Sequence, residues 1–148
     1  MIERRTTDHS QLKVAIERFG EMLEAYRDNA RREPLEREAV QDSLIKRFEY
    51  TFEVAWKTCK RHLAEEGFAE AASGSPKSII RLAAERKLIA DAEAWMGYLA
   101  FRQDSPWQDY SNDNAESVLD IAEDFHKGVL NLYQQMSGEV ISRVFYGR

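Results

Sequence analysis

The stretch that decides the fold lies near the middle of the chain and reads DSLIKRFEYTFEVAWKTCKRHL from Asp42 to Leu63. Its apolar residues recur every three or four positions, which is the period of a helix with one buried face. That inner stripe comprises Leu44, Phe48, Phe52, Ala55, Cys59 and Leu63, widened on one flank by Ile45 and Trp56. Because Gly67 follows, the pattern predicts a long helix from Pro34 or Asp42 to Glu66.

Similar periods predict further helices on both sides of this stretch. The predicted helices run from Ser10 to about Tyr26, from Pro76 to about Lys87 after an N-cap at Ser75, from Asp91 to about Arg102, and onward from a cap at Ser111 or Asp113. The last of them has an inner stripe of Val118, Ile121, Ala122, Phe125, Val129, Leu132 and Met136. Four or five helices with short connections predict an all-α fold, an antiparallel up-and-down bundle.

The composition limits the class of protein. The 148 residues are 43% hydrophobic and 32% charged, which predicts a single helical-bundle domain over residues 1–148. We find no apolar run of membrane-spanning length and no signal-like N-terminus, so we expect a cytoplasmic protein without membrane contact. The net charge of −5 excludes a globally basic surface for nucleic acid. Residues 137–148 are apolar enough to be a candidate docking tail.

Two short spacings carry weak signals for chemistry. Glu123 and His126 have the Glu-x-x-His spacing of metal bundles, but Glu123 points away from the apolar stripe and no second such pair exists, so solvated charge is the favoured interpretation. Cys59 and His62 are also three apart, yet Cys59 lies at the centre of the stripe and is expected to be an inert buried hydrophobe. We therefore predict no metal site and no cofactor. The middle third is locally basic through Lys57, Lys60, Arg61, Lys77, Arg81, Arg86 and Lys87, which fits either ordinary surface charge or a phosphate-bearing partner.

The junction after the fourth helix has an unusual composition. Arg102, Asp104, Trp107, Asp109 and Tyr110 lie within a few residues of each other, where a helix connection needs only polar turn residues. Aromatic and charged side chains so clustered either contact a nucleotide or a protein, or close the end of the bundle.

The Arg-Phe-Glu-x-x-Phe-Glu-x-x-Trp-Lys run from Arg47 to Lys57 resembles the nucleotidyltransferase substrate-binding proteins of the HEPN superfamily. The likeness extends over roughly residues 12–136. It implies a helical protein, usually a homodimer, that acts with a minimal nucleotidyltransferase encoded nearby, in a two-component or toxin-antitoxin system. In such a system the nucleotidyl transfer belongs to the partner.

Many members of that superfamily are also ribonucleases with an Arg-x4-His motif, often continuing to x-Tyr, after the fourth helix. In this chain Arg102 matches the arginine, but the histidine position holds Trp107, or Gln108 if one residue is inserted. Neither side chain moves a proton near neutral pH, so no catalytic residue is carried over. With the insertion Tyr110 matches the tyrosine that partners modify in some pairs.

The sequence thus predicts a non-catalytic binding subunit that contacts a nucleotidyltransferase, or a nucleotide or RNA ligand, through the junction. Its predicted binding residues are Arg102, Asp104, Trp107, Gln108 and Tyr110, with Tyr110 a candidate modification site. The alternatives are a toxin ribonuclease that the partner regulates, with its proton-transfer group supplied by His62 or His126, and an assembly adaptor that binds no nucleotide. A patch of Tyr50 and Val54, opposite the main stripe, is the predicted dimer interface.

Overall fold

The computed structural model describes residues 7–103 and 112–141, and within these ranges the chain is helical with no strand. Five α-helices follow each other, with short 3₁₀ helices at Asn29–Arg31 and Ala69–Ser73. The α-helices are α1 (Ser10–Arg27), α2 (Pro34–Glu65), α3 (Pro76–Glu85), α4 (Ala92–Gln103) and α5 (Asn112–Ser137). The all-α prediction is therefore confirmed. These ranges hold no helix long and apolar enough to cross a membrane.

The predicted ends of the helices are close to those observed. Ser75 caps α3 by accepting a hydrogen bond from the backbone of Ser78 at 3.3 Å. Gly67 follows α2 with a φ of +103°, a conformation that other residues rarely adopt. The sequence left the start of α2 open between two positions, and the helix begins at the earlier one, Pro34. A proline at the first helical position lacks only an N–H that would have no partner there, so it starts the helix without cost.

Pairwise contacts give the direction of each long helix. Thr51 of α2 donates to the carbonyl oxygen of Ala15 in α1 at 3.3 Å, and Thr7, just before α1, bonds Glu65 at the far end of α2. These contacts make α1 and α2 antiparallel. The contacts of α4 with α2 and with α5 are also those of antiparallel pairs. The helices α1, α2, α4 and α5 therefore alternate in direction, and the short α3 lies between α2 and α4 in the chain and contacts both.

An aromatic cluster centred on Phe125 of α5 joins the four long helices. Phe125 is fully buried, and its ring centroid lies 4.9–5.9 Å from those of five other aromatic side chains. These neighbours are Phe19, Phe48, Phe52, Trp95 and Tyr98. Since they come from α1, α2 and α4, one side chain is in contact with every other long helix.

The predicted Tyr50–Val54 dimer patch is only half present. Tyr50 is 48% exposed, but Val54 is 7% exposed and belongs to the core of this chain. The period of α2 alone placed Val54 opposite the main stripe, because such a pattern does not include the neighbouring helices that pack on α2. Val54 therefore offers no surface to a second copy, and the patch as predicted is wrong.

Candidate functional site

Arg102 lies in the last turn of α4 and reaches back to the middle of α2. Its guanidinium forms an ion pair with the carboxylate of Glu53. It also lies 5.6 Å from the ring centroid of Phe52, close enough for a cation–π contact. The side chain retains 29% exposure. The arginine that the sequence singled out is thus held at the surface with part of its fork open to solvent.

Glu53 connects the charged groups of this site. One carboxylate oxygen accepts from Trp56 Nε1 at 3.3 Å and also meets Arg102, while the other oxygen meets Lys57 Nζ at 3.1 Å. Burial by itself would raise the pKa of Glu53, but the hydrogen bonds from Lys57 and Trp56 and the charge of Arg102 hold it below its ordinary value. We call these four residues, Arg102, Glu53, Trp56 and Lys57, the Arg102 cluster.

A further cation extends the Arg102 cluster along α2. Lys60 Nζ lies 5.7 Å from the ring centroid of Trp56, on the next turn of the helix. The half-buried indole thus lies between Glu53 on one side and an ammonium group on the other. Arg102 and Lys57 on the carboxylate, with Lys60 over the indole, give these groups a net positive charge, which favours a phosphate or an acidic side chain as ligand.

Of the five predicted binding residues, only Arg102 lies in the described part of the chain. Asp104, Trp107, Gln108 and Tyr110 fall outside the described residues, and so does the candidate modification of Tyr110. They stay predictions. Of the predicted docking tail, the described residues end at Ile141, which is 8% exposed.

The sequence analysis did not identify Glu53 and Trp56 as members of the site around Arg102. The ion pair of Glu53 with Lys57 is a local one, between side chains four positions apart on the same helix. The contact between Glu53 and Arg102 spans 49 positions (102 − 53) and depends on how α4 packs on α2, so no local pattern reports it. Both missed residues belong to the run that carries the family resemblance, and that was the one available signal.

The histidines lie away from Arg102. His62 is nine residues beyond Glu53 on α2, about 14 Å along the axis, and pairs with His9 at a ring-centroid distance of 5.5 Å. His126 is fully buried on α5 against Phe19. Neither His62 nor His126 is placed to supply the proton transfer that a ribonuclease centred on Arg102 needs.

The interpretation of Glu123 and His126 as solvated charge is wrong for the histidine. Glu123 points away from the core as predicted, where it pairs with Arg27 at 3.2 Å, whereas His126 has no exposed surface. The imidazole points inward, and its ring centroid lies 5.6 Å from that of Phe19. Across residues 7–103 and 112–141, no three His, Cys, Asp or Glu side chains are grouped to hold a metal ion.

Several cations of the predicted basic region have partners within the chain. Arg86 lies 4.7 Å from the ring centroid of Phe68, and Arg61 donates to the hydroxyl of Thr58 at 3.4 Å. Such contacts are those of ordinary surface residues that also cover apolar groups.

Cys59 provides a direct prediction about reactivity. The thiol is 3% exposed, and burial raises its pKa to about 12. Because the thiolate is the reactive form, we expect no labelling by a thiol reagent in the folded protein and complete labelling of one thiol in urea. Stoichiometric labelling at neutral pH without denaturant would contradict this burial and reopen a role for the Cys59–His62 pair.

With this geometry established, comparisons identify proteins of the same kind. A family model described as "Nucleotidyltransferase substrate binding protein like" matches residues 7–138. No curated protein gives a significant match. Among solved structures, the chain is similar to HI0074 from Haemophilus influenzae, described as revealing the fold of a substrate binding domain of a nucleotidyltransferase. The identity is 21% and the TM-score 0.77, over 87% of this chain and 98% of that one, which shows a shared fold.

Proposed function

Because the chain belongs to the nucleotidyltransferase substrate-binding protein-like family, we propose that it is the binding subunit of a two-component nucleotidyltransferase. In this proposal a minimal nucleotidyltransferase encoded nearby carries out the transfer. The present chain is its non-catalytic, substrate-binding and regulatory partner.

The Arg102 cluster is the observation that carries the proposal. It joins an arginine in the last turn of α4 to Glu53, Trp56 and Lys57, three residues of the run that resembles the family. We propose that the partner, or a nucleotide or RNA that the partner uses, binds this surface together with Asp104, Trp107, Gln108 and Tyr110. A partly exposed guanidinium near a half-buried indole suits a phosphate group next to a planar ring.

The charge balance of the Arg102 cluster suggests which ligands it selects. Arg102 and Lys57 both meet the carboxylate of Glu53, so an anionic group that approaches them competes with that carboxylate. An incoming phosphate must therefore share or displace Glu53. In the proposal this makes the surface selective for ligands that bring more than one negative charge.

The finer parts of the proposal rest on the family resemblance. They are membership of the HEPN superfamily, a toxin-antitoxin arrangement, a homodimer and a cytoplasmic location. A toxin ribonuclease is the weaker candidate, because the described histidines lie away from Arg102.

The proposal is tested by size-exclusion chromatography with light scattering on this chain, the neighbouring nucleotidyltransferase and their mixture. We expect a stable complex, and a mass of two chains for the present protein alone. Separate elution of the two proteins at micromolar concentration would contradict the proposed partnership, whereas a monomer that still forms the complex would contradict only the homodimer.

A further inference from the structure

A second surface with binding chemistry lies between α1 and α2, on a side of α2 that faces α1 rather than α4. It is a groove of about 500 Å³, within the roughly 300–1,000 Å³ typical of small-molecule sites. We call it the α1–α2 groove. Its walls include Gln11, Val14 and Arg18 from α1, and Arg47 and Tyr50 from α2.

The groove is basic in a chain whose net charge is −5. Its lining has two arginines and no carboxylate. Arg18 lies 3.8 Å from Glu21, and both side chains are exposed, so that pair holds the guanidinium only weakly. Arg47 makes no ion pair with any residue of 7–103 and 112–141. An anion that enters the groove therefore meets two guanidinium groups without displacing a strongly held carboxylate, in contrast to the Arg102 cluster.

An aromatic ring is held in place beside these arginines. Tyr50 is 48% exposed, and its hydroxyl accepts a hydrogen bond from Gln11 Nε2 at 3.1 Å. That bond joins α1 to α2 and restrains the phenol group, which lines the groove. Val14, which is 53% exposed, adds apolar surface on the α1 side. Exposed aromatic and aliphatic groups next to two arginines suit a ligand that is planar at one end and anionic at the other.

Arg47 contributes neither to the core nor to the Arg102 cluster. It begins the run that carries the family resemblance, yet Phe48 and Phe52 of that run fill the core, and Glu53 and Trp56 form the Arg102 cluster. Arg47 contributes to neither and remains exposed in the groove.

We propose that the α1–α2 groove is a mononucleotide-binding site, separate from the Arg102 cluster. The base stacks on the ring of Tyr50, and the phosphates bind the guanidinium groups of Arg18 and Arg47, whose planar forks match phosphate oxygens. This site goes beyond the proposed function, because it does not require the partner enzyme and uses none of the residues assigned to partner binding.

Calorimetric titration of the full chain with ATP at low salt tests the site. We expect Arg47→Ala and Tyr50→Ala each to weaken binding by about tenfold or more. Tyr50→Phe keeps the stacking face and should remain within about threefold of the unsubstituted chain. The matched control is Arg37→Ala, an exposed arginine on the same helix outside the groove, which should leave the affinity unchanged. All three positions are exposed, so the four variants should fold, as checked by circular dichroism.

Four outcomes would overturn the proposal. One is the absence of ATP binding, and another is binding that Arg47→Ala leaves intact. A third is loss of binding on Arg102→Ala alone, which would place ATP at the Arg102 cluster. The fourth is that the unsubstituted chain binds no ATP but forms a dimer, and that Arg47→Ala converts this dimer to a monomer. That result would assign the groove to a second copy of the chain.

Discussion

Replacement of Phe125 by alanine is expected to lower the free energy of unfolding by about 3–5 kcal/mol. The side chain is fully buried and contacts aromatic residues of α1, α2 and α4, so its removal leaves a cavity where four helices meet. Those neighbours are large rings from separate helices, and they cannot all move inward to fill the space. Urea unfolding followed by circular dichroism measures the loss.

The matched control is Leu35→Ala. Leu35 is 78% exposed in the first turn of α2, and its truncation should change the free energy of unfolding by less than about 0.5 kcal/mol. The contradicting result is a loss below about 1 kcal/mol for Phe125→Ala, with the slope of the unfolding free energy against urea concentration unchanged. It would mean that the helices do not meet at this ring.

His126 is expected to make the fold sensitive to acid. Burial lowers its pKa to about 4, and the nearby charge of Arg27 also disfavours a second positive charge, although the backbone of Ile16 acts in the opposite direction. In the unfolded chain the pKa is about 6.5. Above pH 6.5 the group is neutral in both states and contributes nothing to the pH dependence. Between pH 6.5 and 4 only the unfolded chain takes up the proton, so stability falls by about 1.4 kcal/mol per pH unit.

The difference between the unsubstituted chain and His126→Leu isolates this effect. Leucine has a similar volume and does not titrate, so its packing cost is the same at every pH. We expect the stability of the unsubstituted chain relative to His126→Leu to fall by about 2 kcal/mol between pH 7.5 and pH 5, measured by urea unfolding. The control is His62→Gln, which should retain the pH dependence due to His126. A stability difference that does not change with pH would show that His126 is reached by solvent or is charged in the fold.

The fold was largely predictable because its helices are long and one-sided. The inner stripe of α2 and that of α5 each continue over several turns, so the period alone identified most of the buried residues of these helices, although it left out Thr51, Val54, Thr58, His126 and Tyr133. The errors arose where a neighbouring helix covers a flank. Val54 was predicted to be exposed but belongs to the core, and His126 was predicted to be solvated but is buried against Phe19.

The candidate site was predictable only in part. Composition and resemblance both led to Arg102, and the structure places that residue at the surface with a partly open guanidinium. Its partners on α2 were not predictable, because a pairing between Glu53 and Arg102 requires the packing of two helices that are distant in sequence. The α1–α2 groove was missed for the same reason, since Arg18 and Arg47 approach each other only in the antiparallel pair.

The central claim is that the Arg102 cluster binds a partner nucleotidyltransferase, and a binding titration between the two purified proteins tests it most directly. The account predicts that Arg102→Ala raises the dissociation constant by about tenfold or more, which corresponds to a loss of about 1.4 kcal/mol in binding free energy. Arg81→Ala, an exposed arginine on α3, should bind like the unsubstituted chain. Equal affinity for the Arg102→Ala variant and the unsubstituted chain would contradict the account.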